Sequence, residues 1–288
     1  MRKIVFVFLL VLLFGILLKN TAIAQKDSVY HADFSANYFK SYLTDTRDLL
    51  LSPLHWNKWE WGGAALFAGT SVLLINHDLQ IYNYFQENRS EKTDRFSKNF
   101  LEPWGSGVYS MPLMTLFYLQ GTICKNNRSK KTALLGIKTY LLTGVAVTIP
   151  KMLFNRMRPY QNPVPDPNQW RGPFAGTFYK SFPSGHTTSV FAVATILSSE
   201  YKNTIWVPIL SYSIATLSGL SRINDTKHWL SDVFGAAVFG WSMGKLIHSA
   251  NNWKVSLSPY SNGSTTGVYL SVPIGNNRSC YNNRLVAI

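Results

Sequence analysis

The chain has 288 residues, of which 46% are hydrophobic, 14% aromatic and only 15% charged. This composition excludes a disordered chain, which would be poor in aromatic residues and rich in charge. Lysine and arginine number 28 against 14 aspartate and glutamate residues, giving a net charge of +14. Such an excess predicts an anionic partner, either a phosphorylated substrate, an anionic membrane surface or nucleic acid.

The first 24 residues have the pattern of a secretory signal peptide. Two basic residues precede an apolar run over 4–18, and a small-x-small step ends at Ala24. An uncleaved membrane anchor is the alternative, and both interpretations imply export. In an exported protein Cys124 and Cys280 can form a disulfide, although the sequence does not show that their backbones approach closely enough.

The rest of the chain divides by composition into three parts. Residues 25–60 form a polar extension with helical spacing, 61–250 a helical core domain, and 251–288 a tail. In the tail, two alternating stretches flank Asn262-Gly263-Ser264, which predicts a β-hairpin. The core contains six apolar segments, all predicted to be helices and rich in small residues that allow close helix packing: 62–75, 108–123, 132–149, 187–197, 204–220 and 233–247.

Three polar clusters interrupt the apolar chain, and the first contains Lys151, Arg158 and Pro159. Seven positions are close to two helical turns, so Lys151 and Arg158 are predicted to share a helix face. Pro159 is predicted to end that helix. Two cations at this place can bind a phosphate, and the alternative is a basic helix end favoured by the helix dipole.

The second cluster is Pro183-Ser184-Gly185-His186, immediately before an apolar helix. Ser184 and Gly185 at a helix N-terminus present a hydroxyl and backbone N–H groups, which is an anion site. His186 adds a group that exchanges protons near pH 7. The alternative is a simple N-cap followed by a solvent-facing histidine.

The third cluster contains Ser221-Arg222, His228 and Asp232. His228 and Asp232 are four residues apart, so on a helix the carboxylate can orient the imidazole and leave its other nitrogen free to attack. Arg222 precedes them on a predicted loop, where its guanidinium can bind phosphate oxygens. A structural His–Asp pair beside a surface arginine is the alternative.

Together the three clusters resemble the signature motifs of the type-2 phosphatidic acid phosphatase superfamily, and all three match without a substitution. That superfamily also contains bacterial nonspecific acid phosphatases and vanadium haloperoxidases. The resemblance covers roughly residues 60–250. It implies an all-α bundle of about six core helices with the active site at one end, to which the predicted C-terminal β-hairpin is added. It also implies metal-free phosphate hydrolysis through a phosphohistidine.

The resemblance also assigns roles to individual residues. It implies that His228 is the nucleophile, that Asp232 orients it, and that His186 is the general acid and then the base. No cofactor or metal is expected. The residues implied to bind the phosphate are Lys151, Arg158, Ser184, Gly185 and Arg222.

The function predicted from these residues is a metal-independent phosphatase of the cell envelope. Its substrate would be a phosphorylated lipid, a lipid pyrophosphate or a small phosphomonoester. The alternatives are a vanadium-dependent haloperoxidase and a noncatalytic anion- or lipid-binding module. Nucleic acid is not an expected partner, because the charges are dispersed and no reader motif is present. The sequence leaves the oligomeric state open.

Membrane association is also predicted, but the apolar segments are at or below the ~20 residues of a membrane span. If all six crossed after a cleaved leader, the basic loop 125–131 would lie outside, against the positive-inside tendency. Two arrangements avoid this: a compact periplasmic bundle, or an embedded bundle in which 62–75 does not cross. The second is favoured, and both place the active site in the periplasm.

Overall fold

The computed structural model describes residues 36–51, 54, 57–174, 179–251, 256–261 and 266–271. The predicted leader over 1–24 lies outside these residues. The described part is mostly helical, which confirms the all-α class. Its α-helices, in chain order, are α1 (Ala36–Leu51), α2 (Lys58–Glu87), α3 (Glu91–Phe96), α4 (Glu102–Gly105), α5 (Ser110–Ile123), α6 (Asn127–Ala146), α7 (Thr148–Phe154), α8 (Gly185–Glu200), α9 (Trp206–Asn224) and α10 (Leu230–Ala250).

Helix α8 lies at the centre of the bundle and packs against α10, α9, α6 and α4. Its contact with α10 is close because Gly240 and Gly244 face it. A Cβ atom at Gly244 would lie 2.7 Å from the Cβ of Thr195, and one at Gly240 would collide with the Thr188 carbonyl. Two glycines four residues apart therefore let the two helix backbones approach each other.

The two ends of α8 are chemically different. Its N-terminus holds the second sequence cluster, and its last residue, Glu200, lies at the opposite end. There the Glu200 carboxylate pairs with Lys131 at 2.9 Å, and the Glu200 carbonyl accepts a hydrogen bond from Arg128. The predicted basic loop 125–131, which consists of the turn before α6 and the first turn of that helix, is thus at the end of the bundle opposite the sequence clusters.

Helix α1 is fixed to the bundle by a buried ion pair. Lys138 of α6 is fully buried, and its Nζ donates to Asp45 Oδ2 at 2.7 Å and to Asn251 Oδ1 at 3.1 Å. The rings of Tyr38 and Tyr42 lie 5.5 and 5.6 Å from the same ammonium. The predicted polar extension therefore packs on the core through α1.

The predicted apolar segments lie in α2, α5, α8, α9, α10 and, for 132–149, in both α6 and α7. The short helices α3 and α4 were not predicted. They are joined by a π-helical turn, Ser97–Leu101, that carries no distinctive sequence pattern. The described residues therefore contain more helical pieces than the six that the apolar pattern indicated.

The tail contains two short strands, β1 (Ser256–Ser261) and β2 (Thr266–Ser271). They pair antiparallel, with Ser256 opposite Ser271 and Ser261 opposite Thr266. The predicted turn at 262–264 lies outside the described residues.

Candidate active site

The first cluster does not lie on one helix face, so that prediction was wrong. Helix α7 ends at Phe154, because Asn155 adopts a left-handed conformation with φ 47° that asparagine tolerates and that stops the helix. The helix has thus ended before Pro159, and Arg158 is in extended backbone. The chain nevertheless brings the two cations together: Lys151 Nζ lies 2.9 Å and Arg158 Nη2 3.4 Å from the Lys180 carbonyl oxygen.

The second cluster begins helix α8 as predicted. Ser184 is the N-cap, and its Oγ accepts hydrogen bonds from the Thr187 hydroxyl at 2.9 Å and the Thr187 N–H at 3.4 Å. Gly185 is the first helical residue, and Lys151 Cε would lie 3.7 Å from a Cβ placed there. Lys151 Nζ also donates to the Pro183 carbonyl. The ammonium of Lys151 therefore lies over the N-terminus of α8, where free N–H groups favour an anion.

His186 faces a carboxylate that no motif indicated. Its Nε2 lies 3.2 Å from Glu102 Oε1 of helix α4. The two helices are close here, since a Cβ at Gly105 would lie 2.7 Å from His186 Cβ. The π-helical turn Ser97–Leu101 immediately precedes Glu102, and such turns are frequent at functional sites.

Arg222 lies in the last turn of α9 and not on a loop, which corrects the prediction. Its Nη2 donates to Asp225 Oδ2 at 2.7 Å, and Ser97 Oγ donates to the same oxygen at 2.7 Å. The Arg222 carbonyl accepts the backbone N–H of His228 at 3.2 Å. The end of α9 thus fixes both the guanidinium and the backbone of His228.

His228 and Asp232 lie side by side in space. They do not share a helix, so the prediction of a common helix was wrong. Helix α10 begins at Leu230, so His228 precedes it. His228 Nδ1 lies 3.7 Å from Asp232 Oδ2, which is an ion-pair distance and longer than a hydrogen bond. The same oxygen accepts from Ser181 Oγ and from the Trp229 N–H at 2.9 Å, and these bonds fix the carboxylate beside the ring.

The protonation state of His228 follows from its burial. His228 is only 3% exposed to solvent. Burial lowers the pKa of His228 to about 3, against the opposing effect of Asp232, and the positive charges of Lys151 and Arg158 act in the same direction as burial. The imidazole is therefore neutral at neutral pH and retains a lone pair for attack.

Two further buried residues support the site, and the sequence interpretation missed both. Arg156 and Asp78 are fully buried, and Arg156 donates to Asp78 Oδ2 at 2.7 Å and to Asp232 Oδ1 at 2.8 Å. Arg156 lies between Lys151 and Arg158 in sequence, and that proximity is the signal that could have identified it. Asp78 is a single buried carboxylate on α2, and the sequence around it contains no such signal.

The described residues contain no group of three or more histidine, cysteine, aspartate or glutamate side chains that could hold a metal ion. Cys124 is exposed at the end of α5. Cys280 lies outside the described residues, so the question of a bridge to Cys124 stays open.

The part of the chain that contains the site is similar to known proteins. Residues 133–256 match the model of the PAP2 superfamily, and this range contains all three sequence clusters. Lipid A 1-phosphatase of Porphyromonas gingivalis is 30% identical over an alignment of 178 residues that covers 58% of this chain and 36% of that protein. Lipid phosphate phosphatase 1 of Arabidopsis thaliana is 30% identical over 174 residues, covering 50% of this chain and 53% of the relative. The match thus spans about a third to a half of these relatives.

Two solved structures are also similar. LpxE of Aquifex aeolicus has 25% identity and a TM-score of 0.48, and the alignment covers 60% of this chain and 94% of that one. The PAP2-type phosphatidylglycerolphosphate phosphatase of Bacillus subtilis has 19% identity and a TM-score of 0.46, with coverage of 75% and 94%.

Proposed function

We propose that the chain is a member of the PAP2 superfamily, whose model matches residues 133–256, and that it hydrolyses phosphate monoesters or lipid (pyro)phosphates through a phosphohistidine, without a metal. The observation that carries this proposal is a neutral, buried His228 beside a cluster of cations at the N-terminus of α8. A neutral imidazole is a nucleophile, and the cations provide a binding place for the phosphate that it attacks.

The reaction has two steps. In the first, the His228 lone pair attacks phosphorus, the bond from phosphorus to the leaving oxygen breaks, and His186 in its protonated form gives a proton to that oxygen. Burial lowers the pKa of His186, and the Glu102 carboxylate beside its ring favours the protonated form. In the second, His186 takes a proton from water, and the resulting hydroxide attacks the phosphohistidine. The nitrogen–phosphorus bond then breaks, phosphate is released, and both histidines return to their initial protonation states.

Charge on the phosphate oxygens is balanced by Lys151, Arg158 and Arg222. Phosphoryl transfer requires positioning and electrostatic stabilisation more than covalent assistance from the protein. Arg222 is suited to this because Asp225 and Ser97 hold its guanidinium in one orientation. Asp232, beside the ring, stabilises the positive charge that develops on His228.

A lipid phosphate is the proposed substrate class. The names of the two relatives refer to lipid A 1-phosphate and to lipid phosphates, which supports the same class for this chain. The haloperoxidase alternative requires vanadate in the same site together with halide and peroxide. The noncatalytic alternative accounts for fewer of the site residues, because binding an anion does not require both a nucleophile and a proton donor.

We propose membrane association with the active site facing the periplasm. Within the described residues, the helical stretch Asn127–Phe154 is long and apolar enough to cross a membrane. Because the basic loop 125–131 lies at the end opposite the site, the positive-inside tendency favours a cytoplasmic loop and a periplasmic site. With a cleaved leader, this orientation requires that α2 does not cross. Membrane association is further supported by apolar side chains that are exposed on the helices: Leu66, Val72, Leu73, Leu141, Val145, Ile209, Leu217 and Trp241.

The orientation is tested with single cysteines at Asn127, which is exposed at the start of α6 in the basic segment, and at Asn168, which is exposed near the site, in a chain whose own cysteines are replaced by serine. An impermeant thiol reagent should label Asn168→Cys in intact cells whose outer membrane admits it, while Asn127→Cys is labelled only after the cells are opened. Release of the protein from membranes by alkaline carbonate would contradict embedding.

The activity is tested by phosphate release from purified protein. The substrates are dioctanoyl phosphatidic acid, lipid A, undecaprenyl pyrophosphate and p-nitrophenyl phosphate, with His228→Ala as the matched inactive variant. Release by the wild type and none by His228→Ala is expected. Activity only with vanadate, bromide and peroxide would favour the haloperoxidase, and binding without turnover would favour the noncatalytic module.

A further inference from the structure

A buried charge network links the nucleophile's carboxylate to helix α2. Arg156 uses all five of its N–H donors. Its Nη1 donates to Asp232 Oδ1 and to Ser231 Oγ. Its Nη2 donates to Asp78 Oδ2 and to the Pro167 carbonyl, and its Nε donates to the same carbonyl. Asp78 in turn accepts the Ser231 N–H at 2.9 Å and the Ser231 hydroxyl. Burial raises the pKa of Asp78, but every neighbour of the Asp78 and Asp232 carboxylates in this network is a donor, which favours the ionised form of both.

The network has an excess of negative charge. One guanidinium faces two carboxylates, and Arg156, Asp78 and Asp232 are all fully buried. Charges that are excluded from water are little screened and act strongly on their neighbours. The nearest group that gains a positive charge in the proposed reaction is His228, whose Nδ1 lies 3.7 Å from Asp232.

We propose that Asp78 is a positioning residue for His228. By sharing Arg156, it prevents that guanidinium from neutralising Asp232, and so preserves the negative charge that stabilises His228 as it becomes the phosphohistidine. This inference rests on the proposed nucleophilic role of His228. It assigns a catalytic contribution to α2, which lies outside residues 133–256 of the family match.

The alternative is a purely structural role, in which Asp78 only accepts the hydrogen bond of the buried Arg156 and holds α2 against α10. Both roles predict a less stable protein after Asp78→Asn. They differ in kinetics, since a structural role changes the amount of folded enzyme, whereas a charge effect on His228 changes the turnover of the enzyme that is folded.

The chain offers two matched controls. Asp45→Asn breaks another buried ion pair, with Lys138 at 2.7 Å. That pair adjoins Asn251, 19 residues after Asp232 on the chain and therefore about 28 Å further along α10 at the helical rise. Glu200→Gln removes a largely buried carboxylate that pairs with Lys131 at 2.9 Å, at the end of α8 opposite the site.

The experiment measures kcat and KM per folded molecule for the wild type and these three variants, with p-nitrophenyl phosphate and with dioctanoyl phosphatidic acid. Asp78→Asn should lower kcat about 10- to 100-fold, the range for partners that orient a reactive group, with KM within about threefold of the wild type. The loss should be similar for both substrates, because both require attack by His228. Asp45→Asn and Glu200→Gln should retain kcat within about threefold.

An Asp78→Asn enzyme with wild-type kcat would overturn the inference, as would an equal loss in Asp45→Asn. A loss confined to KM would also overturn it. If the wild type releases phosphate from neither substrate, the proposed function fails instead. If Asp78→Asn does not fold, Asp78→Glu, which retains the charge, is compared with Asp78→Ser, and only the first should retain turnover.

Discussion

The buried, neutral state of His228 predicts a specific dependence of stability on pH. Its pKa is about 3 in the folded protein, against about 6.5 in an unfolded chain. Between these values the unfolded chain binds a proton that the folded protein does not. The contribution of His228 to stability is therefore complete above about pH 6.5 and is lost progressively as the pH falls towards about 3.

The magnitude follows from the same pKa values. Each unit between the pH and the unfolded pKa removes about 1.4 kcal/mol, so about 2 kcal/mol is lost between about pH 7.5 and about pH 5. The matched variant is His228→Gln, which is uncharged at both pH values. The free energy of unfolding of the wild type, relative to His228→Gln, should fall by about 2 kcal/mol, or about 4–8 °C in melting temperature.

The assay is thermal unfolding in detergent micelles, followed by circular dichroism at both pH values. Because the two proteins differ only at residue 228, the pH dependence of all other groups cancels to first order. Parallel pH dependence of the two proteins would refute the reasoning, since it would mean that His228 does not resist protonation in the folded state.

Three other changes have defined outcomes. In the first turnover, His186→Ala should slow release of the leaving group from phosphatidic acid far more than from p-nitrophenyl phosphate, because p-nitrophenolate leaves without protonation; equal losses in this first step would contradict its role as acid. Arg222→Ala should lower kcat roughly 10²–10³-fold, by analogy with lost oxyanion donors, and Arg222→Lys should recover only part of it, because it lacks the planar fork. EDTA should leave phosphate release unchanged and vanadate should inhibit competitively, whereas inactivation by EDTA that a divalent metal reverses would contradict metal-free chemistry.

The sequence predicted the helical class because apolar segments and small residues have a strong signal over 10 or more positions. It also predicted that Ser184 begins α8, since a cap and an apolar run are local features. It failed where a helix end depends on one residue. Asn155 ends α7 before Pro159 can do so, and Trp229 caps α10 after His228.

The supporting residues of the site were beyond sequence reasoning for a different reason. Asp78 lies 153 positions before Ser231, and their contact is created by the packing of α2 on α10. Glu102 reaches His186 only because a π-helical turn and Gly105 allow α4 to approach α8. Such contacts are determined by tertiary structure, and the periodicity of the sequence does not indicate them.

The central claim is that His228 becomes phosphorylated, and the most direct test is to trap that intermediate. Purified wild-type enzyme is mixed with dioctanoyl phosphatidic acid, quenched with alkali within the first turnover, digested and examined by mass spectrometry, with His228→Ala treated in parallel. We expect an alkali-stable phosphate on the peptide that contains His228, formed no more slowly than the enzyme turns over, and none in the variant. Phosphate release by His228→Ala at a rate near that of the wild type, or a phosphoryl group on another residue, would contradict it.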